Sequence, residues 1–332
     1  MPDASRNAAL SRHVGVGLVE VLVALAIGLF LIAVALAVHA RASSSLRVVE
    51  THARMHEAAR YALAAIEADV RMAGYWGLAH GPQNVAAHPT FTFPARCGGA
   101  SWVTSVTRPI DGTSNRYLTA SNCAANGGGA AAGADVLVVR RASARSIELT
   151  STAVPAAVRD EVLLISTRER ADIFVAQANG NAIPAGYPVV AATGLPAPSE
   201  LRAMLVHAYY VSVDSSLGPG VPALRRKLLI GGPTVSDEEL ATGVEDLQFR
   251  IGADVDGDGT LDSYFEPETV PPSARPMAVR IWLRVRGIEP TGTAAATATA
   301  AASYADRVWP AGNDGYDRLL VAKTVQLRNS RP

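Results

Sequence analysis

The sequence predicts an α+β protein: one long N-terminal helix packed on a largely antiparallel β-sheet head. Three observations carry this. An apolar block of 21 residues, Leu18 to Val38, follows a short polar leader. A helical stripe continues it, with no proline between Pro2 and Pro82. Beyond Gly77 the texture changes to short β-branched runs separated by turn residues. The chain therefore divides into a leader (1–15), a membrane half of the helix (16–40), an amphipathic half (41–74) and a β-rich head (75–332).

The leader carries Arg6, Arg12 and His13 against one acid, Asp3. The apolar block that follows would form roughly 31 Å of helix, the thickness of one bilayer core. Basic residues before a span predict a cytoplasmic N-terminus and place the head in the periplasm. A secretory signal peptide or a plain signal anchor fits this hydropathy. Neither accounts for Glu20, because a carboxylate inside hydrocarbon costs about 3 kcal/mol and calls for a partner.

Leu46, Val49, Ala53, His56, Ala59, Leu63, Ile66, Val70 and Ala73 then recur at steps of three and four. That is one face of a helix, and Gly74 is a suitable stop. A single helix from Gly17 to Ala73 would be roughly 85 Å long. His52 and His56 have a spacing that can bind metal, but no third ligand is evident, and solvated or packed imidazoles are the reading.

Candidate strands in the head are 136–140, 147–150, 162–167, 173–176, 204–213, 223–230, 244–251, 279–286 and 319–327. Val279, Ile281, Leu283 and Val285 alternate with Arg280, Trp282, Arg284 and Arg286, so one sheet face is buried, under the second half of the helix. The Gly/Ala-rich stretch 124–134 and the Ala/Thr-rich stretch 291–303 read as loops whose low complexity favours mobility.

Thirty basic and thirty acidic residues cancel, which excludes a globally basic nucleic-acid binder; no nucleic-acid partner is predicted. Two cysteines cannot build a four-thiolate zinc site. Cys97 and Cys123 both follow the membrane segment, and an oxidising periplasm predicts a disulfide between them. The chain lacks a Gly-x-Ser-x-Gly elbow, a phosphate loop and a His-Glu-x-x-His pair, so it reads as a non-enzyme. A tethered or secreted hydrolase is the rival from another class; it requires a deep pocket joining His207 to a carboxylate.

The sharpest site candidate is Asp254-Val255-Asp256-Gly257-Asp258-Gly259-Thr260-Leu261-Asp262. Alternating carboxylates on a glycine turn suit a hard cation, and Ca²⁺ is the one expected. The ligands would be Asp254, Asp256, Asp258, the Thr260 carbonyl and Asp262, closed by Glu266 or a distant carboxylate. Position twelve is Phe265 and the flanks read as strands, so the loop is not an EF-hand. An ion-free turn of good turn formers is the alternative.

Gly15-Val16-Gly17-Leu18-Val19-Glu20 resembles the cleavage site of type IV prepilins, with Val16 where Phe or Met is usual. The resemblance implies that a prepilin peptidase cuts after Gly15, that Val16 becomes the N-methylated N-terminus, and that Glu20, fifth in the mature chain, pairs with a neighbouring subunit's amine. Arg71-Met72-Ala73-Gly74-Tyr75-Trp76-Gly77, Arg170-Ala171-Asp172-Ile173-Phe174, Ala208-Tyr209-Tyr210-Val211, Gly220-Val221-Pro222-Ala223-Leu224-Arg225-Arg226 and Gly243-Val244-Glu245-Asp246-Leu247-Gln248-Phe249-Arg250 are similar, in this order, to the PilW family of minor pilins. What this implies is a pilin-like fold and a low-abundance subunit that primes or caps a type IV pilus. Its partners would be other minor pilins, the major pilin and a tip adhesin. It would sit in the inner membrane before assembly and in the pilus or at its tip afterwards. The J-type pseudopilin of type II secretion shares these features and is the nearest alternative.

Overall fold

The computed structural model describes residues 15, 17–93, 97, 99–118, 123–189, 198–290, 301–309 and 314–330. The leader up to residue 14, Val16 and most of the Ala/Thr-rich stretch lie outside them. The chain falls into two compact units, Met1–Glu50 and Thr51–Pro332.

Helix α1 runs Leu18–Met72. Among the described residues it is the one helix long and apolar enough to cross a membrane. In the first unit its large apolar side chains are bare: Leu18 is 78% exposed and Phe30 67%. In the second unit Met55, Ala59, Ala62, Ile66, Val70 and Ala73 are buried. The stripe expected from spacing holds from Ala59 onward. Ala53 and His56 are exposed, and Met55 takes the buried place instead. Gly74, at φ 73°, ends the helix and donates its N–H to the Arg140 carbonyl at 3.1 Å.

Among the described residues the head holds two largely antiparallel sheets and a small hairpin. Its first strands are β1 (Val85–Ala87), β2 (Ile110–Thr113), β3 (Val136–Ile147), β4 (Val162–Ser166), β5 (Ala171–Val175), β6 (Glu200–Ser212), β7 (Ala223–Ile230) and β8 (Thr234–Thr242). They form one eight-stranded sheet in the order β1-β5-β4-β6-β3-β2, with the β7–β8 ribbon attached to β6. Only β1 and β5 pair in parallel. A second sheet contains β9 (Val244–Asp254), β10 (Ser263–Phe265), β11 (Arg275–Arg286) and β14 (Arg318–Gln326), in the order β10-β9-β11-β14. Strands β12 (Ala302–Tyr304) and β13 (Arg307–Trp309) pair with each other.

The main core joins the lower half of α1 to both sheets. Leu137, Val139, Tyr209, Val211 and Leu224 from the first sheet meet Leu247, Phe249, Ile281, Leu283 and Val285 from the second around Ile66 and Val70. Alanines at 59 and 62 let the helix backbone approach closely, which suits a sequence rich in alanine and poor in aromatics.

Three expectations need correction. Ile147 ends the long strand β3 instead of opening a new one, and 148–150 pair with no strand. Ala302 and Ser303 belong to β12. The Gly/Ala-rich stretch 124–134 is laced to the end of β6: Ala131 donates to the Val211 carbonyl (2.8 Å) and Val213 to that of Gly129 (3.0 Å). Backbone bonds there do the work that side chains cannot.

Candidate functional site

Four clusters carry the polar chemistry. The first is the start of α1. Gly15, Gly17 and Glu20 are all exposed, and Glu20 sits in the first helical turn, its N–H bonded to the Gly17 carbonyl at 3.0 Å. A carboxylate at that end of a helix complements the free backbone N–H groups. Among the described residues the apolar side chains beside it have no cover, and the segment is apolar and long enough to cross a bilayer.

The second is the acidic turn between β9 and β10. Oxygens of Asp254, Asp256 and Asp262 lie within 4.8 Å of one another. Asp254 is 1% exposed, and its two oxygens accept the N–H groups of Gly257 (2.6 Å) and Gly259 (3.0 Å). Gly257 and Gly259 have φ of 83° and 87°, a geometry only glycine adopts at ease. Asp262 accepts from the Val255 N–H at 2.7 Å. Asp258 turns instead to Thr260, whose N–H and hydroxyl both donate to it. Glu266, the closing residue considered from sequence, accepts from Arg250 at 2.7 Å. Three of the five expected donors are thus gathered, and three clustered carboxylates fit a hard cation.

The third cluster was not foreseen as a unit. Asp69 projects from α1 into the head and is 3% exposed. Arg141 on β3 donates to one of its oxygens through Nε (2.9 Å) and Nη2 (2.7 Å). His207 and Tyr209 on β6 both hydrogen-bond to the other oxygen. Arg226 on β7 lies 3.9 Å away and pairs with Glu238 on β8. Burial alone would raise the Asp69 pKa. The His207 hydrogen bond and the charges of His207 and Arg141 outweigh it and hold the carboxyl well below its ordinary range.

His207 therefore does meet a carboxylate, as the hydrolase reading requires. Yet both groups are buried against the helix, and no serine or cysteine bonds to His207 among the described residues. A cavity of about 950 Å³ lies elsewhere, lined by Ile147, Leu149, Val158, Glu148 and Glu161 among others, without His207. The arrangement ties a helix to a sheet.

The fourth cluster lies under the β12–β13 hairpin. Tyr304 donates to Asp246 at 2.8 Å, and Trp309 stacks on the Arg284 guanidinium at 4.0 Å. Asp135 is 1% exposed and accepts the N–H groups of Asn115 (2.8 Å) and Phe249 (2.9 Å). Burial pushes its pKa up to about 7 against those two donors, with repulsion from Asp306 and Glu266 adding to the rise. The signals for these clusters were lone acids inside apolar strings, such as Asp69 in Ala68-Asp69-Val70.

Cys97 and Cys123 form a disulfide, as expected from the sequence. Their link closes a loop that feeds Trp102 and Val103 into the core behind the first sheet.

Comparison with known protein families gives a match in the head. Residues 208–329 match the family model of type IV pilus-assembly protein W. The matched stretch runs from the end of β6 through the whole four-stranded sheet, the acidic turn and β14. The match covers that part of the head and marks it as similar to a family described by type IV pilus assembly. No curated protein and no solved structure matches the chain.

Proposed function

We propose that the protein is a minor pilin that takes part in priming or capping a type IV pilus. The observation that carries this is one helix with a carboxylate in its first turn and a bare apolar surface, in a chain whose head matches a pilus-assembly family. A prepilin peptidase removes the leader after Gly15 and frees the amine of Val16. The apolar helix leaves the bilayer by packing beside those of other pilins. Glu20 finds there the cation that hydrocarbon denies it, and a pair between Glu20 and a neighbour's N-terminal amine sets the axial register. The head then offers its surfaces to other minor pilins and to the major pilin. A pseudopilin of type II secretion would use the same parts.

The test is the mature N-terminus. Intact mass and peptide sequencing of the membrane-extracted protein, with and without the prepilin peptidase, should find N-methylated Val16 only when the peptidase is present. An uncut Met1, or a start near Val38, would remove the filament mechanism.

The three gathered carboxylates support a second proposal: the acidic turn takes up Ca²⁺ through Asp254, Asp256 and Asp262. The ion would brace the β9–β10 turn, and the assembly role does not depend on it.

A further inference from the structure

Strand β14 closes one side of the four-stranded sheet, and among the described residues nothing pairs with its other side. Its register with β11 shows which groups point outward. Leu327 donates to the Met277 carbonyl and Gly287 to that of Asp317, both at 2.9 Å, at the two ends of the ladder. Antiparallel rungs alternate. The hydrogen-bonded pairs are therefore Leu319·Val285, Val321·Leu283, Lys323·Ile281 and Val325·Val279. Arg318, Leu320, Ala322, Thr324 and Gln326 turn their N–H and C=O groups away from the sheet. Among the described residues no backbone group pairs with them.

An open edge of this length is a template for another strand, and folded proteins usually guard it with charge. Strand β8, one edge of the other sheet, is guarded in that way: Asp237, Glu238 and Glu239 form ion pairs with Lys227, Arg226 and Arg225. The outward-turned residues at the centre of β14 are uncharged, and Leu320 is 41% exposed. Lys323, the natural guard, is drawn onto Glu67 of α1. On the face shared by Leu320, Ala322 and Thr324, β14 itself carries no charge between Arg318 and Gln326.

We propose that the β14 edge receives an extended strand from another pilus subunit, running antiparallel to β14 and bringing a carboxylate to the Gln326 end. This rests on the pilin reading above. The charge follows from Arg280, across the ladder from Thr324, and from Arg328 just past the strand; neither has an acidic partner among the described residues. Antiparallel pairing continues the pattern of the β10, β9, β11 and β14 ladder, and α1 sets the direction of β14 itself. Asp317, Lys323 and Arg328 lie beside His52, Glu67 and Arg71, so β14 runs the same way as that stretch of helix. A second copy of this chain pairing antiparallel by the same edge would reverse its helix, which two chains anchored in one membrane cannot do. A strand of another subunit carries no such conflict. Main-chain bonds would supply affinity and the alternate side chains selectivity.

The test uses the full chain in cells that carry the pilus system, with a photo-cross-linking phenylalanine at Leu320 or Gln326 and sequencing of the cross-linked peptide. The expected adduct is an acidic strand segment of a different subunit that bears its own prepilin signal. Ala322→Pro deletes one outward N–H and no β11 rung, so it should abolish the adduct while the purified protein keeps its melting temperature. Should that variant fail to fold, the double change Arg280→Glu, Arg328→Glu tests the same contact without touching the backbone and should also abolish it. No adduct, an adduct to a second copy, or an adduct indifferent to a folded variant would overturn the inference. A mature N-terminus that starts at Val16 alongside any of these results leaves the pilin reading standing.

Discussion

Arg141 grips Asp69 with two nitrogens on a single carboxylate oxygen, at 2.9 and 2.7 Å, across the boundary between α1 and the first sheet. His207 and Tyr209 take the other oxygen. The lower half of the helix otherwise buries Met55, Ile66 and Val70 among alanines, contacts with little directional preference. The buried Asp69 carboxylate adds a directional tie to those contacts, linking that half-helix to β3 and β6. Asp69→Ala strands Arg141 in a site with 14% side-chain exposure. Breaking a buried pair in this way costs about 3–5 kcal/mol. Urea unfolding of the full chain in detergent should show a loss of that order, and a loss below about 1 kcal/mol, the scale of a surface pair, would deny Asp69 this role.

The head should respond to pH in two opposite senses. Asp69 has a native pKa held well below the ordinary 3.8, so its contribution is present above about pH 4 and drains away as the solution becomes more acidic. Asp135 runs the other way. Its native pKa is pushed up to about 7 from 3.8. Between those values the native state keeps a proton that the unfolded chain has released. Stability from this group therefore falls as pH rises from about 4 to about 7, and is flat above. Asp135→Asn should remove that slope. Urea midpoints across the window, compared with the parent chain, decide it; equal slopes would show that Asp135 ionises normally.

The Cys97–Cys123 link spans 26 positions of sequence. Closing a loop of that size in the unfolded chain stabilises the native state by about 3 kcal/mol. The double substitution Cys97→Ser, Cys123→Ser should lower stability by that order and leave the distant acidic turn unchanged. Alkylation under denaturing conditions without reductant should leave the parent mass unaltered, and addition of two alkyl groups would mean free thiols.

Calcium should raise the melting temperature of the full chain at millimolar concentration, the range usual for extracellular sites (roughly 10⁻⁴–10⁻³ M). Asp256→Asn should abolish the rise and barely change the ion-free protein, because Asp256 is exposed and accepts only the Asp258 N–H at 3.1 Å. Asp254 is unsuited to this test, since it holds the turn itself through Gly257 and Gly259. A calorimetric titration with no heat would show the turn to be complete without an ion.

What could be read from sequence followed from periodicity. The alternation of Val279, Ile281, Leu283 and Val285 marked β11, and steps of three and four marked α1 as far as Ala73. Strand β8 was invisible because its Asp237-Glu238-Glu239 run reads as a solvated turn. Only the facing Arg225-Arg226-Lys227 of β7 makes it a strand, through pairing that spacing cannot reveal. Strands β1, β10, β12 and β13 have three residues each, too few for a pattern. The acidic turn was legible from composition, but its division of labour was not: nothing in the string of aspartates says that Asp258 serves Thr260 while Asp254 is buried. Asp69 was the largest omission. A single acid among Ala68 and Val70 looks like a helix surface residue, and its partners lie 72 to 140 positions away.

On the proposed reading, Glu20 separates membrane insertion from filament entry. In hydrocarbon the carboxylate costs about 3 kcal/mol, so Glu20→Gln should insert at least as well as the parent chain. Processing at Gly15 acts on the other side of Val16 and should proceed. The loss should appear only at assembly, where a neutral amide cannot neutralise a neighbour's α-ammonium. Two measurements on the same cells distinguish these steps. The mature mass of the membrane fraction should match cleavage after Gly15 in both chains, and immunodetection in sheared pili should fall for Glu20→Gln alone. Uncut Glu20→Gln would assign the residue to peptidase recognition, and undiminished protein in the sheared fraction would show that register is set elsewhere on α1.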